Sequence, residues 1–231
     1  MKRQKTLNNS MTVRIDDLLQ FEPLTLNQEL AFKAWDDGDN LVFTGSAGTG
    51  KTFIATYLAL EDILERDNGY DKLVIIRSMV PTRDMGYLPG TKEEKQDAFT
   101  LPYKSICHEL FGDKTSYNKM ITSNQLLFES TSFIRGITYD NCIILVDELQ
   151  NLNFHELDSV ITRVGRNSKI IFSGDYKQSD FKYEDDKQGI IKFLNIVEQL
   201  KNFTIINFGW EDIVRSDFVR DYIMTKEMLG Y

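Results

Sequence analysis

The sequence has few cysteines, no long apolar run and a deficit of positive charge, and each shortage excludes a class of protein. Cys107 and Cys142 are its only cysteines, too few for a disulfide framework or a four-cysteine zinc site. No apolar run reaches the roughly 18 residues that a membrane span needs. The basic N-terminus lacks the apolar stretch of a secretory signal. We therefore expect a soluble, cytoplasmic protein with no membrane partner.

Acidic residues outnumber basic ones, 35 to 27, which gives a formal net charge of −8. This balance argues against a broadly basic coating for nucleic acid. A local groove built from a few arginines, lysines and backbone amides stays open. The 231 residues, 42% of them hydrophobic, are enough for a sizeable core in one domain or a domain with an insertion.

Residues 45–52 match the phosphate-binding motif G-x-x-x-x-G-K-[ST], between a short apolar run that begins at Leu41 and a helical pattern over 53–64. The glycines let backbone N–H groups form a concave nest for phosphate oxygens. The helix start adds free N–H groups and the positive end of its dipole. Lys51 is placed to reach the β- and γ-phosphates, and the Thr52 hydroxyl to bind Mg²⁺. The predicted nucleotide-binding residues are Gly45, Ser46, Ala47, Gly48, Thr49, Gly50, Lys51 and Thr52.

Two carboxylates, Asp147 and Glu148, follow the continuous apolar run that begins at Cys142. Such a run is typical of a central parallel strand, and ligands bind at the carboxyl edge of a doubly wound sheet. Asp147 would hold the Mg²⁺ hydration shell, and Glu148 would accept a proton from the attacking water or orient it. With further strands over 72–77 and 203–208, and a strand with its turn over 169–175, the sequence predicts an α/β fold with a mostly parallel sheet.

Two glutamines are candidates for nucleotide contacts. Gln28 lies in a helical pattern after a Thr25 cap, and its amide, which both donates and accepts, could read the adenine edge. The alternative is a solvated helix residue. Gln178 follows the strand end at Gly174 and Asp175, where it could contact the γ-phosphate and report hydrolysis. The alternative is a plain turn residue.

The loop over residues 78–92 is too long and too punctuated for a simple connection, and such loops are usually functional or disordered. The loop supplies charges, glycines and the aromatic face of Tyr87, and Tyr103 follows it in the chain. This composition is typical of a groove that binds single-stranded nucleic acid. The charges between 71 and 135 nearly cancel, so an ordinary polar insertion is the alternative. Short strands are predicted over 124–130 and 132–134, as a hairpin within the insertion. The predicted nucleic-acid residues are Arg77, Arg83, Tyr87 and Lys92.

The order of motifs resembles the PhoH-like ATPases, a family related to the core of superfamily 1 helicases. The resemblance covers nearly everything from Thr25 onwards and implies a RecA-like core with helices on both faces of the sheet, ATP hydrolysis with Mg²⁺, and a link to RNA or other nucleic acid. The short form with a basic arm is similar to versions in large bacteriophages. The matching segments are 45–52, 85–90 with Pro102 and Tyr103, 133–136, 147–151, 162–165, Gly174 and Asp175 with Gln178, and 212–216.

Arg215 lies in the segment that looks like the family's late arginine motif. A RecA-like site needs a positive charge opposite the leaving group, and Arg215 could supply it in its own chain or to a neighbour. We expect the second arrangement, a head-to-tail homo-oligomeric ring with a hexamer favoured. The alternative is a surface ion pair near Glu211 and Asp212. The expected catalytic residues are Lys51, Glu148, Gln178 and Arg215.

The predicted organisation is a basic flexible arm and lead-in over 1–24, then one RecA-like ATPase domain over 25–231 with an insertion at about 78–140. Residues 184–186 are predicted as a solvated turn before a helix over 187–200. The expected function is Mg²⁺-dependent ATP hydrolysis coupled to a single-stranded nucleic acid, with RNA favoured over DNA. A nucleoside kinase and an ATP-dependent binding switch without motor action are the alternatives.

Overall fold

The computed structural model describes residues 12–65, 67–79, 92–134, 136–175 and 184–230. Within these ranges six strands form one sheet in the order β3-β2-β4-β5-β1-β6, and every neighbouring pair is parallel. The carboxyl ends of the strands therefore meet at one edge. The strands are β1 (Asn40–Gly45), β2 (Lys72–Arg77), β3 (Leu126–Ser130), β4 (Cys142–Asp147), β5 (Lys169–Ser173) and β6 (Phe203–Phe208).

Helices cover both faces of this sheet, in agreement with the RecA-like prediction. The helices are α1 (Leu26–Asp36), α2 (Lys51–Leu64), α3 (Lys92–Phe111), α4 (Ser116–Thr122), α5 (Phe154–Ile161), α6 (Glu184–Val197) and α7 (Asp217–Met228). Side chains of α1, α2, α3 and α4 pack with Phe43, Ile75 and Leu145 on one face. Those of α5 and α6 pack with Val42, Val74 and Ile144 on the other.

The predicted hairpin within the insertion is wrong. β3 pairs in parallel with β2, which it reaches through the two helices α3 and α4, and residues 131–133 form a turn. Ile134 is fully buried in the core of the second face, whereas Phe133 is half exposed. The short apolar run therefore marks a turn followed by a buried residue, and not a returning strand.

The acidic run at 184–186 is also not a turn, because α6 begins at Glu184. Acidic residues in a first helical turn complement the positive end of the helix dipole, so the run favours a helix start.

The sequence pattern does not predict helix α3. Pro102 lies inside it and interrupts the pattern from which a helix is recognised.

The chain packs against the domain from Val13 onwards. Val13 is buried, and its backbone N–H and C=O both bond to the Gln125 side chain, at 3.1 and 2.8 Å. The Phe21 ring contacts Phe53 with ring centroids 5.0 Å apart. Among the described residues, no helix is both long and apolar enough to cross a membrane.

Candidate nucleotide-binding site

The phosphate loop joins the carboxyl end of β1 to the first residue of α2, Lys51. Gly45 closes β1 with φ +113°, and a Cβ added there would lie 1.9 Å from the Phe208 carbonyl oxygen on β6. Only glycine fits, because the neighbouring strand touches the loop at this point. The loop ends at Gly50, the N-cap of α2, so the free N–H groups of the helix face the space where phosphate would bind.

Lys51 is folded onto its own loop. Its side chain is buried, and Nζ donates to the Gly45 and Ser46 carbonyl oxygens at 2.8 and 2.6 Å. Burial lowers the pKa of Lys51, and the carboxylates of Asp175, Glu148, Asp147 and Glu227 act in the opposite direction. A phosphate oxygen would replace the carbonyl partners of this cation.

Asp147 is brought to the phosphate loop by β4, the strand between β2 and β5. It is 3% exposed, and both of its carboxylate oxygens accept hydrogen bonds. The Thr52 hydroxyl donates to Oδ1 at 2.9 Å and the Tyr103 hydroxyl to Oδ2 at 2.7 Å. Burial and the neighbouring Asp147 raise the pKa of Tyr103 well above its usual range, so its phenol stays a neutral donor.

Glu148 adopts a left-handed backbone conformation with φ +55°, which turns the chain sharply after β4. Arg77 Nη2 lies 3.6 Å from Glu148 Oε1, and Gln150 Nε2 donates to Oε2. Gln150 Oε1 in turn accepts the Asp175 N–H at 3.0 Å. Burial and then Asp147 raise the pKa of Glu148, while Arg77, Gln150 and Lys51 lower it. The carboxylate is thus held in place among groups that control its charge.

The C-terminal segment covers the loop from the other side. The Val214 N–H bonds to the Gly48 carbonyl oxygen at 3.3 Å, and Arg215 Cγ lies 3.3 Å from the position of a Cβ at Gly48. On α7, Glu227 accepts the Ser46 hydroxyl at 3.0 Å and Trp210 Nε1 at 2.5 Å. The segment over 212–216, the last of the predicted motifs, therefore contacts the phosphate loop over 45–52, the first of them.

Comparison with known proteins agrees with this geometry, since the profile of the PhoH-like protein family matches residues 20–226. The chain belongs to the PhoH-like family. Protein PhoH2 of Bacillus subtilis is 36% identical over 188 residues, which are 78% of this chain and 41% of that protein. A PhoH-like protein of Synechocystis is 30% identical over 205 residues, 88% of this chain and 61% of the relative. The chain thus spans about half the length of these two relatives.

Among solved structures, the large terminase of a thermophilic bacteriophage superposes on this PhoH-like chain with a TM-score of 0.51 at 13% identity. The match covers 90% of this chain and 50% of the terminase chain, and it shows a shared fold. The family and the fold identify the site as that of a P-loop nucleotide-binding protein, so the predicted α/β, RecA-like class is confirmed.

Not every predicted residue of this PhoH-like chain lies where the sequence suggested. Gln28 is 1% exposed, and its Oε1 already accepts the Leu24 N–H at 2.7 Å. The Arg77 side chain is 18% exposed, and its Nη2 lies 3.6 Å from Glu148 Oε1, within the site. Tyr103 is fully buried, so the prediction that it offers a stacking face is wrong.

Three predicted residues, Gln178, Arg83 and Tyr87, lie outside the described residues. Lys92 is the first residue of α3. Sequence reasoning missed the contacts of Tyr103, Gln150 and Glu227. Gln150 follows the two acids closely, which could have signalled its role. Glu227 carries no sequence signal, because only the packing of α7 brings it to Ser46.

Proposed function

We propose that this PhoH-like chain hydrolyses ATP with Mg²⁺. The observation that carries the proposal is the meeting of Lys51, the Thr52–Asp147 pair and Glu148 at one edge of the sheet. The loop and Lys51 would bind the phosphates, and Glu148 would take the proton of the attacking water or orient it. Gln178 would report the γ-phosphate, and Gln28 would read adenine once its amide leaves Leu24.

The residues fit a magnesium ion. Mg²⁺ prefers oxygen ligands and is usually bound through one or two carboxylates together with substrate phosphates and waters. The Thr52 hydroxyl and the Asp147 carboxylate, 2.9 Å apart, supply such oxygens beside the phosphate loop. The described residues hold no group of three or more His, Cys, Asp or Glu that could form a metal site of their own. The metal would stabilise charge on the transferred phosphoryl group.

Coupling to a single-stranded nucleic acid, with RNA favoured, is the second part of the proposal. The segment that contains Arg83 and Tyr87 connects β2 to α3. β2 ends at Arg77, which contacts Glu148, and α3 carries Tyr103, which contacts Asp147. A polymer bound by this segment would therefore act on the carboxylates of both Glu148 and Asp147 through the chain itself.

The test measures the ATPase rate with and without single-stranded RNA or DNA. A panel of nucleosides is screened in parallel for phosphorylation. Stimulation by a polymer supports coupling, a phosphorylated nucleoside supports a kinase, and ATP binding with neither supports a switch. Replacing Arg83 and Lys92 by Gln should reduce the salt dependence of polymer binding, by roughly 0.7 in log–log slope for each phosphate partner that is removed. Gln substitutions at Lys72 and Lys201, at the opposite edge of the sheet, are the matched control and should leave the slope unchanged.

Arg215 would complete the site opposite the leaving group. Its side chain lies against the phosphate loop of its own chain, which favours action in cis over the homo-oligomeric ring predicted from the sequence. Loss of Arg215 should reduce the rate by about 10³–10⁵. Mixing Arg215→Ala with Glu148→Gln subunits separates the two arrangements. Recovered activity in the mixture would indicate a ring with arginines acting in trans; none is expected for action in cis.

A further inference from the structure

Tyr103 has a place in the site that neither its sequence context nor core packing explains. Its ring is fully buried in α3 and contacts Phe128, with ring centroids 5.7 Å apart. Phenylalanine would fill this space equally well. Packing therefore does not explain why this residue carries a hydroxyl. A buried polar group without a partner costs free energy. The hydroxyl donates to Asp147 Oδ2 at 2.7 Å, and the Arg77 guanidinium also contacts it.

The geometry at Asp147 gives the hydroxyl its role. Thr52 and Tyr103 hold one carboxylate oxygen each, which fixes the plane of the carboxylate at the end of β4. Thr52 is itself an expected ligand of Mg²⁺. Of the two hydroxyl donors, Tyr103 alone lies outside the expected ligand set of the metal. Hydrogen bonds to a ligating carboxylate orient it, and their loss typically weakens metal binding about 10- to 100-fold.

We infer that Tyr103 is a positioning residue for the metal-binding carboxylate, so that helix α3 sets the affinity of the site for a divalent cation. The inference rests on the proposed Mg²⁺–nucleotide site. Helix α3 would then be connected directly to the metal site. A change in α3 would reach the metal through one hydrogen bond.

The experiment measures metal binding without turnover. Mn²⁺ is titrated into protein saturated with ADP, and free Mn²⁺ is followed by electron paramagnetic resonance. Tyr103→Phe should raise the half-saturating Mn²⁺ concentration about 10- to 100-fold, with metal-free ADP binding unchanged. Tyr139→Phe is the matched control, because the Tyr139 hydroxyl is also buried but has no hydrogen-bond partner in the described structure.

The possible outcomes separate the inference from the proposed function. A Tyr103→Phe protein that binds Mn²⁺ like the Tyr139→Phe control would overturn the inference while leaving the proposed function intact. A Tyr103→Phe protein that fails to fold would also overturn it, because the hydroxyl would then serve the core. Wild-type protein that binds no Mn²⁺ in the presence of ADP would overturn the proposed function itself, and the inference with it.

Discussion

The carboxylate of Glu227, on α7, contacts the phosphate loop. We therefore predict that its negative charge repels a bound nucleotide. Glu227 accepts the Ser46 hydroxyl at 3.0 Å, in a loop built for phosphate. Glu227→Gln removes the charge but keeps an oxygen that can accept from Ser46 and Trp210. We therefore expect the variant to bind ATP more tightly than the wild type.

The size of the effect follows from the position of the carboxylate. Glu227 lies one hydrogen bond away from the loop, and two unit charges roughly 5 Å apart interact by about 3 kcal/mol at an effective dielectric constant of about 20. Glu227 is partly exposed, so solvent and salt screen the repulsion. A screened repulsion of about 1–2 kcal/mol corresponds to about 5- to 30-fold in affinity for ATP.

The assay is equilibrium binding of a fluorescent ATP analogue at low and high salt. The matched control is Asp221→Asn, which removes one negative charge from an exposed position of the same helix, α7. The gain for Glu227→Gln should exceed that of the control and shrink as salt is added. An affinity equal to the control, or weaker than wild type, would show that the Glu227 charge does not oppose phosphate binding.

Three other substitutions probe the same site. Gly45→Ala should disrupt the loop and lower the thermal midpoint, because its Cβ would meet Phe208 at 1.9 Å; calorimetry should show a smaller loss for Gly112→Ala, where a Cβ meets nothing within 4 Å. Lys51→Ala should abolish nucleotide binding or turnover, and near-normal ATPase would contradict the loop assignment. Arg77→Gln should move the acid limb of the kcat–pH profile to higher pH, because Arg77 lowers the pKa of Glu148 and the protonated carboxyl cannot act as a base; an unmoved limb would argue against that role.

Local patterns predict much of the fold and of the site. The glycine, lysine and threonine spacing identifies the phosphate loop, and the apolar runs give the bounds of β2 and β6 as the structure has them. These features depend on neighbours in the sequence, so periodicity and motif spacing are enough to find them.

The remaining features depend on tertiary packing. Tyr103 and Asp147 are 44 positions apart, and nothing local distinguishes a tyrosine that orients a carboxylate from one that offers a stacking face. Composition assigns Arg77 to a nucleic-acid track, yet its position at the end of β2 brings it to Glu148, because the carboxyl ends of parallel strands meet at one edge. Charge counts cannot reveal such a pairing.

In the proposed mechanism, Glu148 is the group that handles the attacking water. The decisive measurement is therefore on Glu148→Gln, with ATP affinity and single-turnover rate determined on the same protein in Mg²⁺. We expect unchanged affinity and a rate lowered about 100- to 10,000-fold, since the proposed base is lost and the proposed metal contact of Asp147 is kept. An affinity that falls as far as the rate would make Glu148 a metal ligand, and a rate near wild type would contradict the proposed hydrolysis mechanism.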